Sequence, residues 1–180
     1  MLERYVMTVD QVHAADEATL EIRDYVDSDW PAVWMIFQEV LAAADTYALN
    51  PACSSDQARD TWVETPPGRT VVACDGSLLA GVAKMGPNRP GRGSHVATAS
   101  FMVASAARGR GIGRALGEHT IAWARRQGYA AMQFNAVVAV NAPAVHLWRS
   151  LGFAVVGTVP EAFDHPTHGR VGLHVMYRRL

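Results

Sequence analysis

Apolar residues recur every three or four positions in three stretches of the chain, which is the spacing of one buried helix face. These stretches span residues 27–44, 112–128 and 141–152. The first begins with Asp, Ser, Asp and an early proline, and the other two end at glycines, as helices commonly do. A shorter helix is predicted over 54–63, where Ser-Ser-Asp supplies the start. The pattern therefore predicts four helices.

Seven shorter runs, alternating or continuously apolar, predict β-strands. They cover residues 21–23, 70–74, 77–85, 94–103, 132–140, 153–159 and 171–177. Asp75-Gly76 is typical of a two-residue hairpin turn, and the Gly- and Pro-rich stretches 86–93 and 160–170 are predicted as loops. The predicted order of elements is β-α-α-β-β-β-α-β-α-β-β.

This order predicts an α/β fold with one mixed sheet and helices on both of its faces. The strands before and after the helix at 112–128 should pair in parallel through a right-handed crossover, while most other neighbours form hairpins. Residues 1–18 show no clear periodicity and are predicted to form an N-terminal extension. Residues 19–180 are predicted to form a single domain, which suits a chain of 180 residues.

Composition narrows the class of partner. Hydrophobic residues make up 49% of the chain and the formal net charge is −1, which indicates a globular protein and argues against nucleic acid as a partner. No apolar run reaches the length of a membrane span, so no membrane partner is expected. Cys53 and Cys74 form no CxxC pair. We therefore expect neither a disulfide framework nor a zinc site built from cysteines. The expected location of the protein is the reducing cytoplasm.

A glycine-rich turn between a strand and a helix is the strongest chemical signal. It reads ASAARGRGIGR over residues 104–114. Glycines let the backbone approach a ligand closely and turn its N–H groups toward that ligand. The helix N-terminus adds a partial positive charge, and Arg108, Arg110 and Arg114 add full ones. The turn is therefore predicted to bind a pyrophosphate.

Three other interpretations of this turn are a dinucleotide-binding turn, a P-loop and a purely structural turn. A dinucleotide-binding turn needs GxGxxG and an acid about 20 residues later, whereas this chain has GxGxG and no acid in residues 128–140. A P-loop needs Gly-Lys-Ser/Thr, which is absent here. A purely structural turn with solvated arginines stays open, although three arginines beside the glycines count against it.

Two motifs resemble those of the GNAT superfamily of N-acetyltransferases. Arg108-x-x-Gly111-x-Gly113 resembles the acetyl-CoA signature of that family, R/Q-x-x-G-x-G/A. Residues 141–153, NAPAVHLWRSLGF, resemble its second block, N-x-x-A-x-x-L-Y-x-x-x-G-F. The two motifs lie about 30 residues apart in the expected order, and the element order matches the family fold from about residue 19 onward.

The resemblance implies that acetyl-CoA is the co-substrate and lies between two splayed parallel strands, near residues 94–103 and 131–140. The backbone of Met102 and Val103 would pair with the pantetheine arm, and Asn141 would hold that arm from the other side. Backbone groups of the glycine turn would bind the pyrophosphate. The turn residues implied are Arg108, Gly109, Arg110, Gly111, Ile112, Gly113 and Arg114.

Trp148 stands where the family often has a tyrosine that is assigned as the acid for the leaving thiolate. An indole N–H donates a hydrogen bond but does not titrate usefully. Since an alkyl thiol has a pKa of about 8.5, leaving as the free thiolate at pH 7 costs only about 2 kcal/mol. Trp148 is therefore expected at the cofactor site, either as a hydrogen-bond donor or as core packing.

The signals for the acceptor amine are weaker. The amine must lose a proton to a base or to water. When the amine attacks the thioester carbonyl, the negative charge that develops on the carbonyl oxygen would be held by a backbone N–H near Val103. By position in the family fold, the loop with Asp45 and Tyr47 and the loop with His165 and His168 border the acceptor site. The two histidines have ligand-like spacing but lack a third ligand, so no metal is expected.

Asn135 lies in an apolar strand, where its amide needs hydrogen-bond partners. The segment FNAVVAVN over 134–141 resembles the azetidine-2-carboxylate acetyltransferase branch, in which such an Asn contacts a small imino or amino acid. Asn135 is therefore the candidate catalytic residue, and Asn135, Tyr47 and His165 are the candidate substrate-binding residues. A structural Asn with satisfied hydrogen bonds is the other interpretation.

The sequence leaves four functions open. The first is an acetyl-CoA-dependent N-acetyltransferase of a small-molecule amine. The second is a protein or peptide N-acetyltransferase, the third is a non-catalytic acyl-CoA-binding sensor, and the fourth is a dinucleotide enzyme that would bind NAD. Edge strands in such sheets commonly pair, so a homodimer is also considered.

Overall fold

The computed structural model describes residues 20–180, and the predicted extension at 1–18 lies outside these residues. The described strands are β1 Leu20–Asp24, β2 Arg69–Asp75, β3 Leu78–Pro87, β4 Val96–Val103, β5 Ala131–Val138, β6 Ala154–His165 and β7 Gly169–Arg179. The described helices are α1 Trp30–Ala43, α2 Ser55–Trp62, α3 Ile112–Arg126 and α4 Ala142–Ser150. Their order along the chain confirms the prediction.

The strands form one sheet of seven, in the order β1-β2-β3-β4-β5-β7-β6. Among the described strands, β4 and β5 are the neighbours that run parallel, as predicted. Their ladder has two rungs, Val96 with Ala131 and Ala97 with Met132. Beyond these rungs the two strands separate, so the middle of the sheet opens toward the end of β4.

The central strands are buried on both faces, which is why they are continuously apolar. In β3, Ala80, Val82 and Ala83 are fully buried although their side chains point to both sides of the sheet. Helix α3 covers one face so closely that a Cβ on Gly81 would lie 3.0 Å from Ile112. The predicted cover on both faces of the sheet agrees with this burial.

The helix boundaries follow the predicted capping residues. Ser54 begins α2, where its hydroxyl accepts a hydrogen bond from the Gln57 N–H at 3.2 Å. Gly128 and Gly152, which follow α3 and α4, have φ angles of 80° and 85°. Glycine adopts this left-handed conformation without the cost that a side chain adds.

One predicted loop is instead part of a long hairpin. Residues 160–170 were predicted as a loop, but β6 continues to His165 and β7 begins at Gly169. The pairing shifts register between Val159 and Phe163, and Glu161 has a φ of 52°. Almost all of β6 is exposed at the edge of the sheet, so it carries no buried alternation, and an edge strand also tolerates a proline.

Candidate active site

The divergence of β4 and β5 opens a cleft in the sheet. Their last shared rung joins Ala97 and Met132, while β4 continues to Val103. A cavity of about 720 Å³ lies at this end of β4. Its walls come from the end of β4, the glycine turn, the first residues of α3, helix α4 and the loop after α1. The structure therefore places a cavity beside the glycine turn and between the two predicted strands.

The glycine turn leaves open space above its backbone. Gly109 and Gly111 have φ angles of 76° and 81°, in the left-handed region that side chains rarely adopt. A Cβ on either residue would meet no atom within 4 Å. Gly111 is also the residue from which α3 starts, so the first N–H groups of that helix lack intrahelical partners. Such a helix start attracts an anion.

The three arginines of the turn do not act alike. Arg108 and Arg114 line the larger cavity, and Arg114 also donates to the Ser150 hydroxyl at 2.7 Å. Arg110 is not among the lining residues, and its guanidinium forms an ion pair with Asp75 at the end of β2. This ion pair offsets the positive charge that Arg110 is expected to add at the turn. Its predicted contact rests on its backbone alone.

The peptide groups of β4 alternate between β3 and the cleft. Those of Phe101 both bond a side chain from outside the sheet, whereas the N–H of Ala104 donates to a β3 carbonyl at 2.9 Å. By alternation, the N–H and C=O of Val103 face the cleft and those of Met102 face β3. Val103 thus fits the predicted contact with a ligand. The backbone of Met102 does not fit it, although the buried side chain of Met102 lies at the cavity wall.

Tyr47 closes the free edge of β4. It lies in the loop between α1 and α2, and its hydroxyl accepts a hydrogen bond from the Phe101 N–H at 2.9 Å. The same hydroxyl donates to the Phe101 carbonyl at 2.8 Å. Its ring packs edge-on against Trp62, with the ring centroids 5.6 Å apart. Burial raises the pKa of the Tyr47 phenol to about 12, so the phenol stays neutral and cannot serve as a base near neutral pH.

Trp148, on helix α4, and Asn141, just before that helix, also line the cavity. The ring of Trp148 is 8% exposed and its centroid lies 4.8 Å from both Phe101 and Phe134. Trp148 therefore packs in the core and also lines the cavity. The two roles expected for it, core packing and hydrogen-bond donation at the cofactor site, are compatible with this position. Asn141 caps α4, because its side-chain oxygen accepts from the Ala144 N–H at 3.1 Å.

A smaller cavity of about 270 Å³ lies deeper between the separated strands. Tyr47, Asn141 and Trp148 line both cavities, so these residues stand between the two spaces. The remaining walls of the smaller cavity are apolar or polar without charge, and its polar side chains include Thr98 and Ser100.

Asn135 lines the smaller cavity and not the larger one. It sits where the β5–β7 register shifts between Phe134 and Val137, and its side chain is exposed. Its amide is partnered, as the sequence required: its oxygen accepts from Gln133 at 2.8 Å and its nitrogen donates to Asn88 at 2.6 Å. The structure thus gives Asn135 a structural role and also a place at the cavity wall.

Asp45 and His165 both lie at the wall of the larger cavity. The carboxylate of Asp45 accepts from the Thr46 hydroxyl at 2.8 Å. Nδ1 of His165 lies 3.2 Å from the Thr167 N–H, so it acts as the acceptor and the proton of the neutral ring belongs on Nε2. The structure therefore brings the two predicted acceptor loops to one cavity, although they are more than a hundred residues apart in sequence.

Sequence reasoning missed three contacts of this site. They are the Tyr47 hydroxyl on β4, the bond between Asn135 and Asn88, and the ion pair of Arg110 with Asp75. Each joins residues from separate elements, and no local spacing signals such a pair.

Within residues 20–180, no group of three or more His, Cys, Asp or Glu side chains is placed to hold a metal ion. The helices within the same range are too short or too polar to cross a membrane.

The chain is similar to known proteins of one family. Residues 30–153 match the Acetyltransferase (GNAT) family. A solved GCN5-related N-acetyltransferase from Kribbella flavida is 57% identical, covers 92% of this chain and 100% of its own, and superposes with a TM-score of 0.88. A GNAT superfamily phosphinothricin acetyltransferase from Sinorhizobium meliloti, solved in complex with AcCoA, is 25% identical, covers 90% of this chain and 89% of its own, and has a TM-score of 0.77.

A curated relative matches over a shorter stretch. The N-acetyltransferase aca1 of Schizosaccharomyces pombe is 37% identical over 84 residues, which are 47% of this chain and 40% of that protein. The chain therefore spans less than half the length of this relative.

Proposed function

Because the chain belongs to the GNAT family of acetyltransferases, we propose that it transfers the acetyl group of acetyl-CoA to the amine of a small molecule, with amino and imino acids as the first acceptors to test. One observation carries the proposal. The glycine turn and the loop with Asp45 and Tyr47 line a single cavity at the point where β4 and β5 separate. The thioester of a CoA molecule whose pyrophosphate lies at the turn would therefore meet an acceptor amine that lies at the loop.

The cofactor side follows from the open backbone of the turn. The free space above Gly109 and Gly111 fits a pyrophosphate, which would receive N–H groups from the start of α3 and charge from Arg108 and Arg114. The pantetheine arm would then run along β4, where the peptide groups of Val103 face the cleft. The bound AcCoA in the Sinorhizobium meliloti relative supports acetyl-CoA as co-substrate.

The reaction needs little help for its leaving group. A neutral amine attacks the thioester carbon, the carbonyl π electrons move to oxygen, and the intermediate collapses with loss of the CoA thiolate. Since a thiol has a pKa of about 8.5, expelling the thiolate at pH 7 costs only about 2 kcal/mol. Trp148 can donate a hydrogen bond but no proton. Asp45 is the carboxylate at the cavity wall and would accept the amine proton directly or through water.

The shape of the smaller cavity favours a small acceptor. Its volume of about 270 Å³ and its polar, uncharged side chains suit a small molecule better than a polypeptide segment. Asn135 would bind the acceptor there, and His165 would donate from Nε2 at the larger cavity. The phosphinothricin acetyltransferase named above takes its name from a small molecule, which supports this class.

The test is thiol release from acetyl-CoA across a panel of amines. We expect turnover with small amino or imino acids and none above background with peptides that carry a free lysine or N-terminus. Faster turnover of the peptides would favour a protein acetyltransferase. Tight binding of acetyl-CoA with no thiol release on any amine would favour a non-catalytic acyl-CoA sensor.

A cytoplasmic location and a homodimer also belong to the proposal. Cys53 and Cys74 are both free, as is usual in a reducing compartment. Strand β6 lies at the edge of the sheet and exposes Val156 and Val159, at 61% and 53%, and such an edge commonly pairs with a second chain. Light scattering of the purified protein at two concentrations tests the dimer, and a monomer mass at both would contradict it.

A further inference from the structure

The Tyr47 hydroxyl occupies a position that the sheet itself leaves empty. Phe101 lies beyond the last β4–β5 rung, so no strand satisfies its N–H and C=O on the cleft side. The phenol satisfies both, at 2.9 Å and 2.8 Å. A thioester carbonyl lying along β4 would meet the phenol at this position, because Tyr47 and Phe101 line both cavities.

Aromatic packing holds the ring of Tyr47, and with it the hydroxyl, in place. Its edge rests on Trp62, whose own ring is 2% exposed and packs against Phe37. Tyr47 is also shared by both cavities, so its hydroxyl lies where an acyl group from one side would meet an amine from the other. Loss of the hydroxyl alone would leave this ring packing in place.

The phenol is suited to donate a hydrogen bond and unsuited to transfer a proton. Burial raises its pKa to about 12, whereas the CoA thiol has a pKa of about 8.5. Transfer of the phenol proton to the thiolate would therefore be uphill by more than three pKa units. A neutral O–H donor keeps its proton throughout the pH range in which an amine acetyltransferase works.

We propose that Tyr47 is a catalytic residue whose phenol O–H stabilises the oxyanion formed on the thioester carbonyl, while the Phe101 N–H holds the phenol oxygen in place. This inference rests on the proposed acetyl transfer. As the amine nitrogen bonds the carbonyl carbon, the π electron pair moves to oxygen, and the phenol turns its O–H from the Phe101 carbonyl to that oxygen. When the pair returns, the carbon–sulfur bond breaks and the thiolate leaves, while the phenol keeps its proton.

The kinetic test is Tyr47→Phe, with Tyr129→Phe as the matched control. Tyr129 packs against Trp123 with the ring centroids 5.4 Å apart and belongs to neither cavity wall. We expect Tyr47→Phe to lower kcat about 100- to 1,000-fold, the usual effect of losing one oxyanion donor, with the KM for acetyl-CoA changed less than about twofold. Tyr129→Phe should keep the kcat of the wild type. A kcat within about twofold of wild type in Tyr47→Phe, with or without tighter binding of acetyl-CoA, would overturn the proposal.

A spectroscopic test needs no turnover. Acetyl-CoA labelled with ¹³C at the carbonyl is bound to each protein, and its carbonyl stretch is recorded by isotope-edited infrared spectroscopy. We expect the band to fall in wavenumber on binding to the wild type, because hydrogen-bond donors polarise the carbonyl, and to shift back toward the free position in Tyr47→Phe. An identical band in both proteins would overturn the role of Tyr47 while leaving the proposed function intact. Failure of the wild type to bind acetyl-CoA would instead overturn the proposed function and this inference with it.

Discussion

At the residue scale, the conformation of two glycines decides whether an anion can approach the start of α3. Gly109 and Gly111 combine a positive φ with open space where a side chain would project. The motif predicted this open backbone, because glycines at a strand–helix turn let a ligand approach the backbone N–H groups closely. It could not predict that Arg110 turns away to Asp75, since that contact depends on a distant hairpin.

Gly111→Asp should abolish measurable binding of acetyl-CoA, because it adds a negative charge and a side chain at the predicted pyrophosphate position. Gly128→Asp is the matched control. The φ of Gly128 is 80° against 81° for Gly111, and both positions are open, so the backbone cost of the two variants is similar. Titration calorimetry of both variants checks the prediction. Equal affinity in the two would show that the turn does not hold the ligand.

Asn135→Ala should lower kcat/KM for the acceptor about 10- to 100-fold, the loss expected for one hydrogen bond to substrate. Binding of acetyl-CoA should not change, because Asn135 does not line the larger cavity. Asn88→Ala removes the same hydrogen bond between the two residues from outside both cavities, and it should have little effect. If the two variants lose activity equally, Asn135 acts only as a structural residue. Steady-state kinetics with the best acceptor of the panel give the answer.

At the element scale, hydrophobic periodicity predicted the helices and strands that are buried in the core. Helix α3 and the central strands are covered, so their apolar pattern is strong. The long β6–β7 hairpin escaped prediction because β6 is exposed and irregular in register. The short parallel ladder between β4 and β5 followed from topology. The filling of the free edge of β4 by Tyr47 did not, since it joins residues 54 positions apart.

The junction between β1 and α1 depends on the buried carboxylate of Asp29. Asp29 accepts from both guanidinium nitrogens of Arg23, at 2.7 Å and 2.8 Å, and from the Val26 N–H at 2.9 Å. The hydrogen bonds from Arg23, and then that from Val26, lower the pKa of Asp29 against the opposing effect of burial. A carboxyl group with a lowered folded-state pKa contributes stability above its unfolded pKa of about 3.9, and this stability is lost as pH falls through the folded value.

Asp29→Asn should therefore lower the free energy of unfolding at pH 7 by about 1–3 kcal/mol, since it weakens hydrogen bonds to a charged group. The difference between variant and wild type should narrow below about pH 4, where the wild-type carboxyl becomes protonated. Asp60→Asn, at an exposed carboxylate on α2, should change stability by less than about 0.5 kcal/mol. Urea denaturation at a series of pH values measures all three proteins. A difference for Asp29→Asn that stays constant down to pH 2 would contradict the assigned ion pair.

At the scale of the whole molecule, the fold assembles the site from parts that the sequence keeps far apart. The α1–α2 loop, the glycine turn, the start of α4 and the end of β6 all reach the larger cavity. The two family motifs predicted the part of this assembly that we propose for acetyl-CoA, because both lie beside the β4–β5 cleft. The acceptor half has no comparable motif, and its walls come from loops and from the register shift of β5.

We propose that this cleft binds a CoA thioester, and titration calorimetry of the full chain with acetyl-CoA tests this most directly. NAD serves as the control ligand, because it offers a pyrophosphate without the pantetheine arm. We predict micromolar affinity for acetyl-CoA with one site per chain, and no detectable heat with NAD. Binding of NAD in preference to acetyl-CoA, or binding of neither, would contradict the account of the cleft.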